Sequence, residues 1–499
     1  ISSGGDASIA PIVAAPPNVI RADRRVSKRR GYLWFALVVA ILWTGFALYR
    51  LNVRAGMVRA MAGAIEVDDT TNKRAEWLRG SRWIPGRLAE WVIAATTQPE
   101  SVDVGNLKTP ESKKALVEGS WPELKLLYAR FGEGATETPP IPRRAPHLEI
   151  VQIREAVASD AAVSGLPRFP GVKRLMLNEA MGLAAILGTP SRFPDVEKLE
   201  LRGVHDWEGA WDALGSLAKL TELEIHDCDT GSLAGLRKAT GLRRLALGAN
   251  QVDAAGAEAL SLLPHLRELS LSPESIDRSA LRRFGLPKSL EKLELGTMAP
   301  VSPDTAGSYL DVLKSLAALP RLRELKVDFH GAPEEMEAIA AIPGLEELTI
   351  VLDRKRRFDE AAMTPLRKTA GLRRLTLEII EPPLPGVGIY SEDKFILTGR
   401  LGSAIRDLSR LERFDGVAAK PDFFAAIAGH PSLRRLKLSQ ATLADENVAA
   451  LLTMPKLEHV HVSLTKVYPR AEARLSAHLQ SHGGEFTSGI KANLADEAD

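Results

Sequence analysis

One cysteine, Cys228, stands in 499 residues, so no internal disulfide can form and no multi-cysteine zinc or iron–sulfur site can be assembled. Charge of one sign is not in excess either. There are 65 basic and 63 acidic side chains, a formal net charge of +2, which leaves no electrostatic footprint for nucleic acid; no nucleic-acid partner is expected. Enzyme signatures are missing too: no phosphate loop ending in Gly-Lys-Ser/Thr, no His-Glu-x-x-His, no Gly-x-Ser-x-Gly and no kinase set. Acidic and basic residues are scattered as surface charge. The chain is read as non-enzymatic, with no catalytic residues, no cofactor and no metal.

What is present is the composition of a foldable chain, 45% apolar and 26% charged. Residues 31–49 are uncharged from Gly31 to Tyr49, and as a helix they would span about 28 Å, close to the hydrocarbon thickness. Tyr32 and Trp34 near one end and Tyr49 at the other suit the headgroup zones. Arg21, Arg24, Arg25, Lys28, Arg29 and Arg30 precede the run, against Arg50, Arg54 and Arg59 after it. That bias places the N-terminus in the cytoplasm and the rest outside it. A cleaved signal peptide fits less well, because the apolar run is long and no small-x-small site precedes Arg50. Residues 1–30 read as a disordered basic cytoplasmic tail, and residues 50–123 as a helical juxtamembrane cap region holding Trp77, Trp83, Trp91 and Trp121.

From residue 124 one hexad recurs, apolar at its first, fourth and sixth positions. Examples are Val172, Leu175, Leu177; Val196, Leu199, Leu201; Leu220, Leu223, Ile225; Leu433, Leu436, Leu438; and Leu457, Val460, Val462. Fourteen copies can be followed, the weaker ones starting at Leu124 and Leu411, and the starts at 124, 148, 172, 196 and 220 lie 24 residues apart. Such a period marks a solenoid in which one unit cannot bury its face alone and stacking makes a continuous core.

The L-x-x-L-x-L pattern resembles the leucine-rich-repeat family over residues 124–465, about two thirds of the chain. The resemblance implies an α/β leucine-rich-repeat solenoid, a horseshoe with a parallel concave sheet and convex helices, here preceded by one transmembrane helix. Asp253 and Asp445 read as caps of return helices that stop at Pro264 and Pro455. The family often places Asn or Cys eight residues after the hexad start. Asn250 and Cys228 stand there, while Ala180, Val204 and Ala441 replace it elsewhere, so Cys228 reads as a buried turn residue. Caps without cysteine point to a bacterial member of the family. Residues 466–499 read as a closing helix, Arg470 to Leu479, and a disordered tail.

Third-position side chains should line the concave face, among them Arg174, Arg244, Arg374, Arg435 and His459, with His461 at a fifth position. Glu222, Arg244, Glu268 and Lys292, on strands about 4.8 Å apart, form an alternating ladder that either satisfies itself or greets a polar partner. His459 and His461, at i and i+2, could share a metal only weakly. An insertion at 378–410 carries Tyr390, Lys394 and Phe395 and reads either as a protruding recognition loop or as a degenerate repeat.

The expected function is binding of a protein or cell-envelope partner by a single-pass membrane protein, its solenoid outside the cytoplasm of a bacterial inner or plasma membrane. The alternatives are a structural element of the envelope without a discrete ligand, or the sensor part of a receptor whose catalytic domain lies upstream of Ile1.

Overall fold

The structure is a computed structural model that describes residues 40–66, 69–80, 86–96, 99–131, 137–155, 160–188, 192–248, 252–271, 285–296, 303–353, 359–380, 397–417, 419–439, 441–463, 465–489 and 491–493. It divides into two compact units, Ile1–Leu124 with Pro140–Pro146, and Lys125–Pro139 with His147–Asp499.

The first unit opens on a helix over 40–60. Its first half is apolar and exposed, with Trp43 at 73%, Phe46 at 58% and Tyr49 at 66%. Its second half turns Ala55, Val58 and then Met61 inward, at 0%, 5% and 1%, the three-residue spacing of one buried helical stripe. Strand β1 (Ile65–Glu66) pairs antiparallel with β2 (Ser101–Asp103). Helix Pro110–Glu118 starts on a capping box of Thr109 and Ser112, which satisfies two backbone donors reciprocally. Trp121 is buried and its Nε1 donates to the carbonyl of Leu116 at 2.9 Å. A Cβ on Gly119 would come within 2.5 Å of that indole, so only glycine permits the approach. Of the tryptophans expected in this cap region, Trp77 is exposed and Trp83 lies outside the described residues. Among the described residues no helix is long and apolar enough to cross a membrane. Residues 31–39 of the expected span, and the tail before them, lie outside the described residues.

The second unit is a ladder of parallel strands. In chain order these are β3 (Leu126–Arg130), β4 (Ile150–Arg154), β5 (Arg174–Asn178), β6 (Lys198–Arg202), β7 (Glu222–His226) and β8 (Arg244–Gly248). Next come β9 (Glu268–Leu271), β10 (Lys292–Leu295), β11 (Glu324–Phe329), β12 (Glu347–Asp353), β13 (Arg374–Ile380), β14 (Arg413–Gly416) and β15 (Arg435–Ser439). After the short β16 (Thr442–Leu443) follow β17 (His459–Ser463), β18 (Thr465–Val467), β19 (Glu485–Ser488) and β20 (Lys491–Asn493). Strands β16, β18 and β20 form a separate small parallel sheet, and the others pair in order. The hexads explain the register: Leu175, Leu199, Leu223 and Leu245 are successive Cα partners, all buried, while the residues before and after each face the other way. This is a leucine-rich-repeat-like solenoid.

Between strands the chain returns through short helices such as Ala254–Ser261, Pro333–Ala340 and Gly399–Arg406, and through 3-10 turns at Leu233–Lys238 and Glu360–Lys368. In the latter, Pro365 lacks a backbone donor. Asp253 caps its helix by accepting from the N–H of Gly256 at 2.8 Å. Asp445 does not cap: Ala444 occupies the cap position, and Asp445 sits in the first turn, where its carboxylate favours the positive helix end and lies 3.8 Å from Arg470.

Two boundaries differ from the sequence reading. The sheet continues past residue 465 into β19, because the helix Pro469–Ser481 is a return helix that delivers one further strand parallel to β17. In that rung Ser488 takes the place of the sixth apolar residue, which conceals it in the sequence. The expected insertion also dissolves into repeat structure at both ends. Glu378–Ile380 complete β13 against β12, Leu397 bridges Ala419, and Gly399–Arg406 is a return helix. Residues 381–396, with Tyr390, Lys394 and Phe395, lie outside the described residues, as do Asn250 and residues 494–499.

Candidate binding site on the sheet face

Third and fifth hexad residues stand on the open face of the sheet, as the alternation of exposed Arg435, buried Leu436, exposed Lys437 and buried Leu438 shows. Over most of its length this face pairs with itself. Arg174 meets Glu200 at 2.5 Å, and Lys198 bridges Glu200 at 3.0 Å and Glu224 at 2.7 Å. Arg244 reaches Glu268 at 2.8 Å and Glu222 at 3.4 Å, and hydrogen bonding to Glu268 raises its pKa further. Lys292 pairs with Glu324 at 3.1 Å instead of closing the expected ladder onto Glu268, and Arg374 with Glu347 at 3.0 Å. Apart from Lys198 with Glu200 on β6, these pairs run directly or diagonally between neighbouring strands about 4.8 Å apart, so the charges at these positions are already compensated.

The pattern stops at β14. Arg413 turns along its own strand to Asp415, at 2.7 Å, while its register partner on β15 is another cation, Arg435. On β15, the side chains of Arg435 and Lys437 are exposed and make no ion pair or hydrogen bond among the described residues. On β17, His461 Nδ1 lies 2.8 Å from the Thr487 hydroxyl of β19. The side chains of Arg413, Asp415, Arg435, Lys437, His459, His461, Glu485 and Thr487, over the backbones of Leu436 and Val460, line one cavity of about 270 Å³.

Thus Arg435, His459 and His461 are brought together, whereas Arg174, Arg244 and Arg374 stay in the self-paired ladder. Lys437 was missed because only the third positions were compared across strands; the fifth position of the hexad at Leu433 would have revealed it. Arg413 follows from the weak hexad at Leu411, while Glu485 and Thr487 sit on the concealed rung. Among the described residues no group of three or more His, Cys, Asp or Glu is placed to hold a metal ion.

Cys228 lies apart from this cavity. Its Sγ accepts from the N–H of Val204 at 3.3 Å and donates to the carbonyl of His226 at 3.1 Å, and burial pushes the thiol up to about 11. A thiol held protonated is a poor nucleophile, so the residue belongs to the turn.

No protein-family model and no curated protein matches the chain. Solved structures similar in fold include a complex of TLR13 with ssRNA13, at 13% identity and a TM-score of 0.44, covering 77% of this chain and 58% of that one. The chain therefore spans less than two thirds of that protein. An internalin, InlF from Listeria monocytogenes, is similar at 15% identity and a TM-score of 0.38, covering 68% of this chain and 84% of that one.

Proposed function

We propose that this chain is a membrane-anchored, non-enzymatic binding protein of leucine-rich-repeat type that captures its partner on the open sheet face at the β14–β19 end. The observation that carries the reading is the change in charge pairing along one face. From β5 to β13 the cations at the third and fifth hexad positions find acids on neighbouring rungs, while Arg435 and Lys437 have no such partner among the described residues and line a cavity. Exposed pairs contribute about 0–1 kcal/mol each, so the ladder serves as a polar surface, and unpaired cations are the groups a ligand can recruit. The anchor rests on the uncharged run at 31–49 and on the apolar, exposed start of the helix over 40–60. A bilayer would cover Trp43, Phe46 and Tyr49, and the basic stretch at 21–30 would hold the N-terminus in the cytoplasm.

The test places a photo-crosslinking residue at Lys437 or at Ser270 of the self-paired stretch, in cells, with cytoplasm-only and exterior-only reporters after Asp499. Crosslinks at 437 and not at 270, with the exterior reporter active, support the reading. Equal crosslinking at both sites removes the binding site, and an active cytoplasmic reporter removes the topology. The self-paired ladder favours a second reading, a structural element without a discrete ligand, for which crosslinks at both positions would be absent.

A further inference from the structure

We infer that the cavity between β14 and β19 receives a compact dianionic phosphoryl group, carried by a small phosphate monoester or by free phosphate. The inference rests on the binding reading above and names the chemistry of its ligand. Two cations without an ion-pair partner among the described residues stand at the third and fifth positions of one strand, Arg435 and Lys437, and both line the same cavity as His459 and His461. A phosphate monoester carries about −1.5 to −2 charges near neutral pH and three acceptor oxygens. That charge matches the two cations, where a carboxylate would supply one charge and two oxygens. Arg435 offers a planar fork of donors and Lys437 a compact ammonium, and together they hold an oxyanion from two sides. The Thr487 hydroxyl and His461 Nδ1, 2.8 Å apart, add a neutral polar pair to the same cavity.

The walls argue for a compact anion and against an extended one. Asp415 on β14 and Glu485 on β19 flank the two cations from opposite sides. A polyanion laid across the rungs would meet both carboxylates, and like charges at such spacing repel. Asp415 is engaged by Arg413. A window two strands wide and about 270 Å³ in volume remains, which admits a phosphoryl group and a few carbon atoms.

The experiment titrates the full chain, in lipid nanodiscs, with glycerol 3-phosphate, inorganic phosphate, succinate, sulfate and a single-stranded oligonucleotide, followed by calorimetry. Saturable binding of glycerol 3-phosphate is expected, weakened at least about tenfold in Arg435→Ala and in Lys437→Ala and unchanged in Arg244→Ala. Tighter binding of the ester than of inorganic phosphate identifies an esterified ligand, and equal binding identifies free phosphate; both support the site. Equal affinity for succinate or sulfate, preference for the oligonucleotide, or binding that survives both substitutions overturns it. If phosphate monoesters fail while crosslinking at Lys437 persists, only the ligand class falls; if both fail, the binding site falls with it.

Discussion

Asp415 holds the guanidinium of Arg413 from two residues further along the same strand, at 2.7 Å, and forms no ion pair with Lys437, its register partner on β15. Replacing Asp415 by Asn should free Arg413, already in the cavity wall, from its acid and so leave a third unpaired cation there. Affinity for a phosphate monoester is expected to rise severalfold by calorimetry. Thermal stability should change by less than about 1 kcal/mol, because the pair is partly exposed. A fall in affinity would mean that Asp415 contacts the ligand itself.

His430 is fully buried and bonds at both ring nitrogens. Its Nδ1 accepts from the N–H groups of Ser432 and Leu433 at 3.3 and 3.1 Å, which leaves Nε2 to donate to the carbonyl of Ile405 at 3.3 Å. His430→Ala strands those backbone groups and opens a void, and urea denaturation should show a loss of about 2 kcal/mol or more.

Burial lowers the pKa of the same imidazole below its ordinary value of 6.5. The unfolded chain therefore takes up a proton before the folded one does. Stability from this group is present above pH 6.5 and is lost as pH falls through and below it. The difference in stability between pH 7.5 and pH 5.5 should be smaller in His430→Ala than in the unaltered chain; an identical pH slope would assign the dependence to other groups.

Cys228 behaves in the opposite sense. With the folded thiol pushed up from 9.0 to about 11, the unfolded chain ionises first as pH rises, so its contribution holds below pH 9 and disappears between 9 and 11. At pH 8 the native protein should resist alkylation by iodoacetamide that modifies it fully in urea. Mass spectrometry showing rapid native labelling would contradict the buried turn assignment.

A backbone periodicity accompanies the hexads. Glu155, Glu179, Gly203 and Asp227 all adopt positive φ, between 50° and 57°, and each donates its N–H to the end of the next strand, at 2.8–3.0 Å. Side chains other than glycine are strained there by about 1–2 kcal/mol. Glu179→Gly should therefore raise the denaturation midpoint, with a gain in unfolding free energy of up to about 1 kcal/mol after the entropy of glycine in the unfolded chain is subtracted. A lowered midpoint would show that the Glu179 side chain contributes more than its backbone costs.

The strands and their register were legible because apolar residues at the first, fourth and sixth positions can be buried in one way only. Leu199, Leu223 and Leu245 could not change partners without exposing a core residue. The pattern of charge pairing was less legible. Third-position residues from Glu222 to Lys292 announced acid and base in turn, but whether Asp415 bonds across to Lys437 or along to Arg413 depends on side-chain rotamers that spacing does not set. The last rung escaped because Phe486 alone carries its apolar signature. The Asp445 cap failed for a related reason: an acid at a helix start is equally at home one residue inside, where the dipole favours it without a hydrogen bond.

The composition of β19 also has a thermodynamic consequence. Phe486 is only half-buried and Ser488 replaces an aliphatic residue, so this rung holds to β17 mainly through its backbone. In a quasi-one-dimensional stack, such a rung opens locally at a cost well below that of global unfolding. Since Glu485 and Thr487 form one wall of the cavity, any ligand bridging that wall to Arg435 acts as a rivet. Occupancy of the site and hydrogen-exchange protection of the β19 amides become two readings of one equilibrium.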